Sequence, residues 1–281
     1  DQMTPPTPGQ PDKPPRVIPV AVGLLNPNGD EVLPTTMLEM TEARQSFAFP
    51  DLSTRPVASI LRGFSAPVVL SRAQSRMERA FLLAHDTDPF SRWEAGRALS
   101  KDVLTDMVLT GSDPGADWID ALGMVLRDDA ADPAFRALCL RLPSEDDMAQ
   151  TLADAGHVPD PDRLHATLKG AMAAIANRLG RDLALTYDAM APAGPYRPDA
   201  EGSGRRALRL ACLSLLSLTD GGARARHLFG AADNMTESIG ALACLLDAGK
   251  GQSETSAFHD RWRANRLVID KWFTVQVMHG D

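Results

Sequence analysis

At 281 residues with 44% apolar side chains, the chain is long enough for two domains with real cores. Its net charge of −8 and pI near 5.3 argue against a nucleic-acid binder, which needs clustered Lys and Arg to neutralise phosphates. Three widely spaced cysteines, Cys139, Cys212 and Cys244, read as reduced, buried thiols of a cytoplasmic protein, and no run of 18 apolar residues marks a membrane span.

Residues 1–72 read as β. Val17–Leu25 is a β-rich run, Asn26-Pro27-Asn28-Gly29 is a turn signal, and a second run resumes at Asp30. The stretches at 36–41 and 44–49 alternate, placing Leu38 with Met40, and Phe47 with Phe49, on one side of a strand. PVASILRG at 56–63 and APVVLS at 66–71 complete the segment. About six or seven short strands with prolines between them predict a small Ig-like antiparallel β-sandwich. So short a module buries a thin core and is expected to lean on a neighbour.

From about Gln74 the pattern turns helical, which sets the expected domains at 1–72 and 73–281. Asp88-Pro89, Asp132-Pro133 and Asp160-Pro161 each put a capping carboxylate before a proline whose missing N–H costs nothing at the first helical position. Behind them run apolar stripes at helical spacing: Ala95, Leu99, Val103 and Met107; Phe135, Leu138, Cys139 and Leu142; Leu164, Leu168, Met172, Ile175 and Leu179. About ten helices joined by short loops favour an armadillo- or HEAT-like α-helical superhelix over a single bundle.

Catalytic signatures are sparse. None of the six histidines is followed by Glu, so there is no H-E-x-x-H zinc helix, and there is no G-x-S-x-G or P-loop. Gly202–Ala207 matches G-x-G-x-x-A in letters, but no apolar strand precedes it, so it reads as a loop entering the helix of Leu208, Cys212 and Leu215. His85-Asp86 and His259-Asp260 are adjacent pairs, which point about 100° apart on a helix. Glu145-Asp146-Asp147 suits a helix start, where carboxylates complement the dipole.

Two stretches remain as candidates. In DNMTESIGALACLL, Asn234 is an N-cap with Glu237 at the third helical position, and Met235, Ile239, Leu242 and Leu246 form the buried stripe. In RLVIDKWFTVQV, the helix is apolar over most of its surface and is expected to be buried on both sides, so Asp270 and Lys271 need a partner or a water-lined wall.

These stretches, in this order, resemble the bacterial aminopeptidase N family of zinc gluzincin metallopeptidases. The resemblance rests on TPPTPGQ at 4–10, VIPVAVGLLNPNG at 17–29, RPVASILRGFSAPVVL at 55–70, FSRWEAGRAL at 90–99, NMTES at 234–238 and LVIDKWFTVQ at 267–276. It implies an enzyme with an N-terminal β domain, a thermolysin-like catalytic domain, a small β-sandwich and a large helical superhelix, of which this chain matches the sandwich and the front of the superhelix. On that reading Asp1 follows a cut, the zinc helix and the substrate loop lie upstream, and further helices would follow the HGD at 279–281. No residue here matches a zinc ligand or the catalytic glutamate, so zinc is expected in the parent and none in this chain.

The resemblance thus implies a non-catalytic part whose partners are the upstream catalytic domain and peptide substrates, with the sandwich as spacer and the helices as cavity wall. Asn234, Met235, Thr236, Asp270, Lys271 and Trp272 are the candidate wall or structural-motif residues. A last helix carrying Val268, Trp272, Phe273 and Val275 without its next neighbour is expected to self-associate through that face or to fray there. The alternative is a free-standing helical-repeat scaffold that binds a protein or peptide.

Overall fold

The Asn26–Gly29 turn reverses the chain between its first two strands: the Asn26 side chain accepts the Asp30 N–H at 3.0 Å, and Gly29 adopts φ +96°. The computed structural model describes residues 1–279. Strand β1 (Ile18–Leu25) pairs antiparallel with β2 (Glu31–Met40), from Ile18 opposite Met40 to Leu25 opposite Glu31. Strand β3 (Val57–Ile60) pairs antiparallel with the other edge of β1, giving the order β2-β1-β3.

The alternation at 44–49 and the apolar run at 66–71 predicted further strands, and the structure forms none there. The Gln45 amide accepts the Thr41 N–H at 2.8 Å and donates to the Glu39 carbonyl at 3.1 Å, so a side chain takes ladder groups at the end of β2. Pro67 brings no N–H to a ladder, and Val69 stands 97% exposed.

The chain divides into two compact units, with the division between Leu99 and Ser100. In the first, β3 runs into a 3-10 turn at Arg62–Phe64, with Leu61 and Phe64 both in the left-handed region. Helix α1 (Arg76–His85) starts with a reciprocal capping box between Ser75 and Glu78, and α2 (Pro89–Thr110) starts under Asp88, which accepts the Ser91 N–H at 2.8 Å. Leu25 from the sheet, Leu82 from α1 and Ala95 from α2 share one core cluster. The thin sheet therefore gains its second layer from helices, as its size required.

Among the described residues, the second unit holds the rest of α2 and nine further helices: α3 (Ala116–Arg127), α4 (Pro133–Cys139), α5 (Glu145–Asp154), α6 (Pro161–Ala189), α7 (Ala200–Asp220), α8 (Ala223–Ala231), α9 (Met235–Asp247), α10 (Gln252–Trp262) and α11 (Arg266–His279). Asp132 and Asp160 cap α4 and α6 as their prolines announced, accepting from Ala134 and Phe135 and from Arg163. Helix α7 is the hub, packing on α4, α6, α8 and α9. Charges tie the layers: Arg178 is bidentate to Asp120 at 2.7 Å between α6 and α3, and Arg226 meets Glu254 at 2.7 Å between α8 and α10.

Three local expectations change. On α4 the buried residues are Arg136 and Ala137, while Leu138 is 43% exposed, because Arg136 turns inward to the Leu126 carbonyl and Asp129. The glycine-rich run at 202–207 lies inside α7, which Asp199 caps through the Gly202 N–H at 2.7 Å. Its Gly204 permits a close approach, since a Cβ there would lie 3.2 Å from the Ala134 backbone nitrogen of α4. Helix α11 is not buried on both sides: Val268 and Val275 are its buried residues, and Leu267, Phe273, Val277 and Met278 are exposed. Cys212 and Cys244 are buried thiols, pushed up to about 12 by burial, whereas Cys139 is half-buried.

Candidate functional site

A cleft of about 420 Å³ opens where the loop 190–199 passes over the first turns of α7 and α9. The loop is MAPAGPYRPD, and its three prolines and one glycine keep it out of helix between the end of α6 and the Asp199 cap. Its path is held by side chains from both helices. Asp233 accepts the Tyr196 N–H at 3.0 Å, and Arg206 donates to the Arg197 carbonyl at 3.2 Å while its guanidinium stacks on the Tyr196 ring at 4.7 Å. Arg205 donates to the Ala189 and Ala191 carbonyls at 2.6 and 3.0 Å, satisfying acceptors at the end of α6.

The floor of the cleft is the start of α9. Asn234 is its N-cap as the sequence indicated, accepting the Glu237 N–H at 3.0 Å. The Glu237 carboxylate does not close a reciprocal box. It is buried and accepts from Arg209 of α7 at 2.6 Å and from the Asn234 amide at 2.8 Å. Arg209 also lies over the Tyr187 ring at 4.7 Å, and burial pushes the Tyr187 phenol up. Asp233 is held below the usual carboxylate range by the Asn234 amide and then by the Tyr196 N–H. Every acid on this floor is thus committed to a protein donor.

The other sequence candidates separate. Met235 packs, with Trp272, against the cluster of Leu242, Phe258, Val268 and Val275, and Thr236 is exposed beside it. Trp272 anchors α11 by donating its indole N–H to the Thr255 carbonyl at 2.9 Å. Asp270 and Lys271 are exposed and form no ion pair among the described residues, so the expected partner is water. The cleft therefore gathers Asn234 but none of Asp270, Lys271 and Trp272. The arginines and Tyr196 of the cleft were not singled out in the sequence; the signal was a Pro-rich loop followed, six residues past its last residue Asp199, by Arg205-Arg206.

The remaining titratable pairs lie outside this cleft. His85 stacks on Phe81 at 4.9 Å while Asp86 turns to Arg62, and half-buried His259, packed on Trp272 at 5.0 Å, approaches exposed Asp260 at a long 3.4 Å. Glu145 contacts His165 at 2.7 Å, and Ser144 caps the helix its acidic run begins. A second cavity of about 450 Å³ lies within residues 1–99, walled by Phe64, Val68, Leu70 and Phe90, with Arg72 donating to the Ala58 carbonyl at 2.9 Å. Among the described residues, no three His, Cys, Asp or Glu side chains gather as a metal-holding group, so the donor set here does not fit zinc.

A three-stranded Ig-like module followed by stacked helices defines the class. The chain belongs to the family described as "Domain of unknown function (DUF3458_C) ARM repeats", whose model matches residues 76–281, and residues 1–73 match the model described as "Domain of unknown function (DUF3458) Ig-like fold". It is 42% identical over 263 residues to a protein of Caulobacter vibrioides named Aminopeptidase N, covering 91% of this chain and 30% of that protein. Aminopeptidase N of Escherichia coli is 31% identical over 298 residues, covering 98% of this chain and 33% of that protein. A crystal structure of Legionella pneumophila aminopeptidase A in complex with aspartic acid shares the fold over 93% of this chain and 32% of its own, with TM-score 0.79 and 24% identity. The chain thus spans about a third of the length of the relatives it matches.

Proposed function

We propose that this chain is the non-catalytic part of a zinc-dependent aminopeptidase, with residues 1–72 as a spacer and residues 73–281 as wall and gate of the peptide cavity. The observation that carries this reading is the identity of 42% across 91% of the chain with an aminopeptidase N of which only 30% is spanned. Zinc would sit in the catalytic part of the larger polypeptide, where it supplies a Lewis acid and an activated water. This chain's residues hold no step of that chemistry; their work is to shape and restrict access. A wall role for Asn234, Met235 and Thr236 is supported by Asn234 lining the cleft and by Met235 packing on the adjoining cluster, with Thr236 exposed between Met235 and Glu237 in sequence. The partners are the catalytic part of the same polypeptide and peptide substrates. The exposed face of α11, with Leu267, Phe273, Val277 and Met278, is a contact surface through which the isolated chain self-associates. The free thiols of Cys212 and Cys244 support a reducing, cytoplasmic compartment.

The test is an assay of the purified chain, with zinc added, on alanyl and leucyl arylamides, repeated with the catalytic portion supplied in trans. No turnover alone, with binding to that portion and a change in its activity or substrate range, is the expected result. Chelator-sensitive turnover by the chain alone would overturn the assignment.

A further inference from the structure

Among the described arginines after residue 100, Arg205 and Arg206 stand apart: both are half-buried, and neither has a carboxylate within ion-pairing distance. The others are either paired, as Arg178 and Arg209 are, or exposed to water. A partly desolvated guanidinium normally keeps a counter-ion, because withdrawing charge from water is costly unless it is paired. Here the protein acceptors are neutral carbonyls, those of Ala189 and Ala191 for Arg205 and that of Arg197 for Arg206.

A guanidinium carries five N–H donors. Arg205 spends Nη2 and Arg206 spends Nη1, which leaves Nε and Nη1 of Arg205 and Nη2 of Arg206 without a protein acceptor among the described residues. The Arg206 Nε is buried and lacks an acceptor as well. Three of the four acids lining the cleft are already engaged: Asp199 by the Gly202 N–H and Arg197, Asp233 by Tyr196 and Asn234, and Glu237 by Arg209, while the fourth, Glu201 in the first turn of α7, is exposed to water and forms no ion pair with either arginine. The field of Arg206 reaches Asp233 and helps keep it ionised, without closing to a salt bridge. Both arginines line the 420 Å³ cleft together with Pro192, Pro195 and Tyr196, a size that suits a small ligand.

We propose that this cleft binds the terminal carboxylate of a peptide, with Arg205 and Arg206 as its donors and the Pro192, Pro195 and Tyr196 wall against the last side chain. Guanidinium and carboxylate match as a charge-assisted, two-pronged hydrogen-bond pair, and the apolar wall favours a ligand that carries a side chain over a bare anion. The choice of a peptide rests on the peptidase reading; the binding measurement does not, because it needs no catalysis.

Calorimetric titration of this chain with an N-acetylated tripeptide ending in leucine, as the free acid and as its C-terminal amide, tests the proposal. The free acid is expected to bind at least tenfold more tightly than the amide. Arg205→Gln and Arg206→Gln should each remove most of that preference, while exposed Arg141→Gln leaves it unchanged. Arg206→Lys, which keeps charge and loses the planar fork, should fall between. In NMR spectra the arginine Nε–H signals lost in the two Gln variants should be those that shift with the acid. Equal binding of acid and amide, no binding of either at millimolar concentration, or inorganic phosphate binding in place of the peptide would each overturn it. Any of these results would leave the arylamide assay, and with it the peptidase reading, to stand or fall separately.

Discussion

Arg62 is a buried cation whose partners come from four places in the chain: Ser59 and Thr35 at 3.0 Å, Asp86 at 2.9 Å, and Glu31. It lies over Gly23, where a Cβ would stand 2.1 Å from the guanidinium carbon, so the two residues require each other. Arg62→Met leaves Asp86 without its cation and is expected to cost about 3–5 kcal/mol. Gly23→Ala should displace Arg62 and cost a comparable amount, with the double variant well short of additive when measured by urea unfolding. Asn234→Ala removes the cap of α9 and is expected to cost about 1 kcal/mol. The caps were legible because a cap and its helix are neighbours in sequence. Arg62 was not, since nothing local says that Glu31, Thr35 and Asp86 converge on it.

At the scale of the element, α11 is attached by Val268, Val275 and Trp272 on one side and by a polar contact near its end, His279 to Asp247 at 2.9 Å. That hydrogen bond is the main cause of a His279 pKa raised above its ordinary value. The charged imidazole is thus favoured in the folded state, so this contribution is complete below about pH 6.5 and is lost as pH rises through the raised folded value. Amide exchange in the last turns of α11, corrected for intrinsic rates, should quicken between about pH 6 and pH 8.5, and Asp247→Asn should abolish the difference. The periodicity of α11 identified a helix but misjudged its surroundings, because an apolar residue facing solvent and one facing a core read alike. In α4 the converse happened: Arg136 is buried because it finds the Leu126 carbonyl and Asp129, and an arginine's letter says nothing of that.

Across the whole chain, exposed apolar area concentrates at the two ends of the described structure's sequence: Phe64, Val69 and Leu70 early, and Leu267, Phe273, Val277 and Met278 late. Burying one such side chain is worth about 1.5–3 kcal/mol, so the four on α11 must be buried together to offset an association cost of roughly 4 kcal/mol or more. Sedimentation of the isolated chain should therefore show concentration-dependent oligomers, and Phe273→Glu with Val277→Glu should shift it toward monomer without lowering its helix content. A monomer at all concentrations would show that this face makes no self-contact.

Sequence alone determined the order of β module and helices, the proline-marked helix starts and the family likeness. Each of these is carried by short-range periodicity, by capping chemistry or by motif order along the chain. The number of strands was decided elsewhere, since the Gln45 amide takes ladder groups at the end of β2. So was the cleft, whose Tyr196, Arg205, Asp233 and Asn234 meet only when α6, α7 and α9 have packed. Hydrogen-bond donors and acceptors are local in the sequence, but which of them meet, and which are left over for a ligand, is settled by long-range packing.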